Sequence, residues 1–168
     1  MSLKADELRA KLIRNFNDAP LEREVREPLY AGAGARLAIG TAALKMGASI
    51  DILDPGKRGC PYHLHHAQEE MFIVLEGRGT MRVAGEMLAV EAGDIVFVPA
   101  GPEYPHQMIN TSDAPLKYLS LSTREQPEVV EYPDSNKVLS TARPPAGDSV
   151  FRRMNRLDTD LDYWDGEP

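Results

Sequence analysis

Hydrophobic positions along this chain fall into short clusters, not long periodic runs. From residue 35 to 123 the clusters are bounded by Gly, Pro, Asn and Asp, the usual boundaries of strands. They predict strands at 35–44, 49–53, 62–66, 70–76, 79–84, 87–90, 95–98, 105–110 and 116–122. Turn signals separate them at Asp54-Pro55-Gly56, Glu76-Gly77, Ala84-Gly85, Ala92-Gly93-Asp94, Ala100-Gly101-Pro102 and Asn110-Thr111-Ser112-Asp113. No helix-length segment interrupts the series. Many short strands without crossover helices argue for an antiparallel sandwich or barrel, so the fold class is all-β.

The flanks differ from this middle section. Leu8, Leu12 and Phe16 recur at four-residue spacing behind Asp6 and Glu7, which predicts a short amphipathic helix within an arm over 1–34. Residues 124–168 carry five prolines and a run of acidic residues at the end. They read as an acidic extension packed on the barrel of 35–123. Val129-Val130 and Val138-Leu139 are expected to add strand residues, and Tyr132, Phe151, Tyr163 and Trp164 to dock on the barrel. Within the barrel, Met71-Phe72-Ile73-Val74-Leu75 does not alternate. A strand that is apolar on both faces needs cover on both. The arm, the extension or a second subunit can supply the outer cover, and a homodimer is the expectation.

Composition narrows the function. At 168 residues, 42% hydrophobic and 27% charged, the chain has the make-up of an ordinary globular domain. A net charge of −7 argues against nucleic acid as a partner, since phosphate binding needs clustered positive charge. No apolar run approaches the ~20 residues of a membrane helix. The charged start lacks an apolar signal core, so a cytoplasmic location is expected. The single cysteine excludes an internal disulfide framework and an all-cysteine zinc site.

All four histidines, His63, His65, His66 and His106, lie in two strand-like stretches. Strand side chains alternate, so His63 and His65 share a face about 7 Å apart. They can tilt onto one ion at the ~2.0–2.1 Å nitrogen distance that metals require. His66 points the other way. Glu70 opens the next strand and can supply a carboxylate oxygen. His106 can be a third imidazole if its strand lies beside these. Such a nitrogen and oxygen set suits one divalent first-row metal: iron, manganese, nickel, cobalt or zinc.

At these residues the chain resembles the cupins. Their first motif, G(x)5HxH(x)3–4E(x)6G, is matched in its later part by His63, His65, Glu70 and Gly77. The spacing selects Glu70 over Glu69, because six residues separate Glu70 from Gly77. The second motif, G(x)5PxG(x)2H(x)3N, falls on Gly93, Pro99, Gly101, His106 and Asn110, with four residues instead of two between Gly101 and His106. The opening glycine is out of register. The resemblance implies a double-stranded β-helix, or jelly-roll barrel, with a metal held near one end and frequent homodimers. Gly77, Gly93, Pro99 and Asn110 read as structural residues at strand ends and turns.

Other residues carry weaker signals. Cys60 reads as an inert strand-end thiol. By parity Phe72, Val74 and Met108 line the cavity or fill the core. Tyr62, Tyr104 and Gln107 lie near ligands in sequence, though parity puts none of them clearly inside. Glu69 and Tyr104 are candidate acids or bases. Arg36, Lys45, Arg78 and Arg82 are available for an anionic substrate. The expected function is a small metalloenzyme acting on a small oxygen-rich molecule, either an isomerase of a sugar or sugar phosphate or a dioxygenase. The alternative is a non-catalytic module that binds a small ligand.

Overall fold

The computed structural model describes residues 4–142, 151–158 and 160–168. A six-stranded antiparallel sheet forms one wall. Its order is β1 (Glu22–Arg26), β2 (Tyr30–Arg36), β3 (Met46–Leu53), β10 (Leu116–Thr123), β5 (Glu70–Glu76) and β8 (Ile95–Val98). The opposite wall has two parts. One is β7 (Glu86–Glu91), β6 (Arg78–Val83) and β9 (His106–Ile109); the other is β13 (Phe151–Arg156), β12 (Lys137–Ala142), β11 (Glu128–Tyr132) and β4 (Leu64–His65). An antiparallel bridge between His63 and His106 joins the two parts. The result is a double-stranded β-helix, the architecture the sequence motifs imply.

The core lies between the walls and is built from Leu53, Phe72, Val74, Met81, Val90, Val98, Met108, Leu116 and Tyr118. On the large sheet the inward face changes character along the strands. At one end Leu53 pairs with Leu116, and Tyr118 with Val74. At the other, Ser120 stands between Ser49 and Phe72, and Ser122 between Gly47 and Glu70. The barrel therefore has an apolar floor and a polar mouth.

Local chemistry explains the connections. Ala84 and Gly85 join β6 to β7 with φ of 50° and 87°, as a two-residue hairpin with positive φ at both positions requires. Asn110 donates through Nδ2 to the carbonyls of Leu53 and Ala114, while its Oδ1 accepts from Ser112.

Several expectations are corrected. The 35–44 segment is strand only to Arg36; beyond it the chain bends, with Gly40 at φ 72°. The 62–66 segment keeps only Leu64–His65 as strand. The helix spans Ala5–Leu12 and buries no residue, and Phe16 sits beyond it in a 3-10 turn. The extension does contribute β11 and β12, but Tyr163 and Trp164 are 83% and 70% exposed and pack edge-to-face on each other. They do not dock on the barrel.

Candidate metal centre

The four residues singled out by spacing arrive from three elements. His63 and His106 are backbone partners, each amide donating to the other's carbonyl at 3.1 and 2.7 Å. His65 lies on β4, where it pairs with Val130 of β11, and its carbonyl accepts from Gly101. Glu70 is the first residue of β5.

Their side chains converge on one atom. The Nε2 atoms of His106, His65 and His63 lie 2.7, 3.4 and 3.7 Å from Glu70 Oε2. Donor atoms of His63, Glu70 and His106 all fall within 4.8 Å of one another. His65 stands slightly apart: its ring centroid is 6.3 Å from that of His106, against 4.5 Å between His63 and His106. His66 points away, to Glu131.

The Nδ1 atoms of His63 and His106 are turned to the carbonyls of Pro61 and Tyr104, at 2.8 and 3.1 Å. With Nδ1–H donating there, each Nε2 presents a lone pair toward Glu70. Acceptor then faces acceptor unless a proton or a cation lies between. Both ring nitrogens of His65 are buried without a hydrogen-bond partner, since its 3.4 Å approach to Glu70 lacks hydrogen-bond geometry. This donor set fits a divalent cation.

The metal-free electrostatics agree. Burial opposes the charged form of His63, but Cys60 and Glu70 overcome it and push the imidazole up to about 10. Burial likewise raises Glu70, yet the imidazole of His106, which hydrogen-bonds it, and those of His63 and His65 close beside it hold it well below the usual carboxylate range.

Two residues of the site escape sequence reasoning. Glu128 is buried, and its carboxylate accepts from the amides of His66, Ala67 and Gln68 at 3.1, 3.3 and 2.8 Å. It fixes the loop that follows His65 and lies 3.7 Å from His65 Nδ1. Nothing in the sequence signals a partnership across some sixty residues; the only cue is an acid heading the apolar pair Val129-Val130. Asp51, on β3, accepts from Ser49 Oγ at 2.7 Å. Its pKa is raised, chiefly by burial and further by the charge of Glu70, against the Ser49 hydrogen bond.

The remaining candidates are placed elsewhere. Phe72, Val74 and Met108 belong to the core. Glu69 and Tyr104 are exposed. Tyr62 is buried beneath Arg82, which is paired with Asp134. Gln107 is buried and donates to the Cys60 carbonyl. Cys60 lies 3.7 Å from His63 Nδ1. Arg78 lines a groove with Thr80, Glu91 and Asp94 that includes none of the clustered histidines.

Comparison with known proteins adds to this geometry. Residues 49–122 match the model of the Cupin domain family. An uncharacterised protein of Methanocaldococcus jannaschii is 37% identical over 73 residues, 41% of this chain, and the match spans 57% of that relative's length. A proposed sugar phosphate isomerase of Acidithiobacillus ferrooxidans superposes with a TM-score of 0.73 at 25% identity, over 95% of both chains. A sugar phosphate isomerase from a cupin superfamily, of Silicibacter pomeroyi, superposes at 0.72 with 23% identity, over 89% of this chain and 96% of the other. The latter likeness is one of fold.

Proposed function

We propose, on the match of residues 49–122 to the Cupin domain family, that the chain holds one divalent first-row metal on His63, His65, Glu70 and His106 and isomerises a sugar phosphate. The observation that carries the reading is the meeting of three imidazole nitrogens on a single carboxylate oxygen, an arrangement that calls for positive charge at its centre. These four residues would hold the ion, which when bound would supply Lewis acidity toward a carbonyl oxygen and so acidify the neighbouring C–H bond. The chain's own residues do the positioning. Pro61 and Tyr104 carbonyls hold two imidazoles with Nε2 inward, and Glu128 holds the segment that carries His65. Likeness to the Acidithiobacillus protein over nearly the full length favours isomerisation over oxygen chemistry.

Elemental analysis of the purified chain tests the centre: about one first-row divalent ion per chain is expected, lost in His65→Ala. A chain that arrives empty and takes up none of the five metals would overturn it. Anaerobic turnover of a sugar phosphate by the loaded protein is the expected activity. Oxygen uptake by the ferrous form without such turnover would replace isomerase with dioxygenase, and ligand binding without turnover would leave a binding module.

A further inference from the structure

The polar mouth of the large sheet has no explanation in the metal centre alone. Ser49 and Asp51 on β3, and Ser120 and Ser122 on β10, face inward on adjoining strands, continuous with Glu70 through the Ser122–Glu70 pair. Each is partly shielded from solvent, not closed off. The neighbouring strands leave room for them. A Cβ on Gly34 would stand 2.8 Å from Asp51 Oδ1, and one on Gly47 would stand 2.5 Å from Ser122 Oγ.

A carboxylate accepts several hydrogen bonds, and Asp51 receives one side-chain donor, Ser49. Three hydroxyls and an under-used carboxylate, lining a wall beside an open-sided cation site, match the hydroxyls of a polyol. Two guanidinium groups stand at the rim. Arg36 follows Gly34 on the same face and pairs with Ser49; it is exposed and forms no ion pair among the described residues. The Arg124 Nε lies 3.6 Å from the position a Gly47 Cβ would take, on the Ser122 side. Three strand steps separate β2 from β5, about 14 Å at the usual spacing. An arginine side chain and a small extended ligand together cover that span.

We propose that this wall is the ligand site of the chain, with Asp51, Ser49, Ser120 and Ser122 taking the hydroxyls of a polyol and Arg36 and Arg124 taking its terminal anionic group. The ligand class is a phosphorylated polyol or sugar with one end at the metal centre. The inference deepens the isomerase reading and rests on it for the role of the metal.

The test is calorimetric titration of the manganese-loaded chain with glycerol phosphate, erythritol phosphate and glucitol phosphate, and with glucitol alone. At least one phosphorylated polyol is expected to bind. Arg36→Gln and Arg124→Gln should each weaken it about tenfold, as loss of a charged hydrogen bond does. Neither should change the weak affinity for glucitol. Asp51→Asn should weaken both kinds of probe without changing the metal content. The two arginine variants lie at the exposed rim and keep the test valid should Asp51→Asn unfold. Failure of all three phosphorylated probes to bind, or binding unchanged in the arginine variants, overturns the proposal. If the metal is present and the variants bind like the parent, the wall fails alone. If the chain holds no metal yet still binds a polyol phosphate through Arg36, the metal centre fails and the wall stands.

Discussion

A carboxylate removed from water needs several donors to remain there, and Glu128 finds three in the consecutive amides of His66, Ala67 and Gln68. Those amides belong to the link between His65 and Glu70, so the acid sets the relative position of two proposed ligands without touching the centre of the cluster. Glu128→Ala leaves the part-buried N–H groups of Ala67 and Gln68 unpaired, while that of His66 keeps the Val129 carbonyl, and is expected to cost on the order of 2 kcal/mol in urea denaturation. Metal affinity, read by chelator competition, should fall about 10–100-fold, the usual effect of losing an outer-shell partner. An unchanged affinity with reduced stability would confine Glu128 to folding. The imidazoles themselves impose a pH dependence of fixed sign. A protonated ring has no lone pair to give, and His63 holds its proton up to about 10 in the metal-free chain, so apparent metal affinity falls steadily as pH is lowered from about 10 to about 5. Binding that stays flat over that range would remove the histidines from the ligand set.

Between elements, the extension is tied to the barrel by Arg82 on β6 and Asp134 in the turn after β11, two hydrogen bonds of 2.6 and 2.9 Å. The guanidinium also lies 3.7 Å above the Tyr62 ring, and it holds the Asp134 carboxyl below its ordinary value. A depressed carboxylate contributes stability that is present above the unfolded pKa and lost as pH falls through the folded one. The pair is partly exposed, so Asp134→Ala should cost about 0.5–1 kcal/mol near neutral pH. The difference from the parent should vanish in strong acid, as urea melts at both pH values will show. A larger loss is expected at the β5–β6 reversal: Gly77 sits at φ 84°, and a Cβ there would meet the Pro115 carbonyl oxygen at 2.5 Å. The barrel strands from Met46 to Thr123 are legible in sequence because each alternates or is capped by Gly, Pro or Asn, and the motif spacing singles out all four converging side chains. What escapes depends on partners distant in the chain. Glu22–Arg26 and Phe151–Arg156 are strands exposed along their length whose mostly polar sequences carry no continuous apolar face; edge pairing to β2 and β12 makes them strands. Asp51 reads locally as a polar residue between two isoleucines, and only the register against Tyr118 turns it toward the cavity.

At the scale of the whole molecule, the non-alternating run Met71–Leu75 is buried on one side and only half-buried on the other. Phe72 and Val74 enter the core. Met71 and Ile73 face outward beside their partners Phe97 and Ile95 on β8 and Leu121 and Leu119 on β10. Phe97 and Ile95 are 71% and 50% exposed among the described residues, and β8 is the edge of its sheet. A contiguous apolar face of this kind marks an interaction surface, and β8 also offers an unpaired backbone edge that natural proteins rarely leave open. A second copy laid across the same face buries it twice over by symmetry. Light scattering after size exclusion is therefore expected to give twice the chain mass. Phe97→Glu combined with Ile95→Lys should convert the species to a monomer with unchanged metal content, because both side chains point away from the cavity. A parent chain that elutes as a monomer at high concentration would leave this face to a different partner and separate assembly from the chemistry inside the barrel.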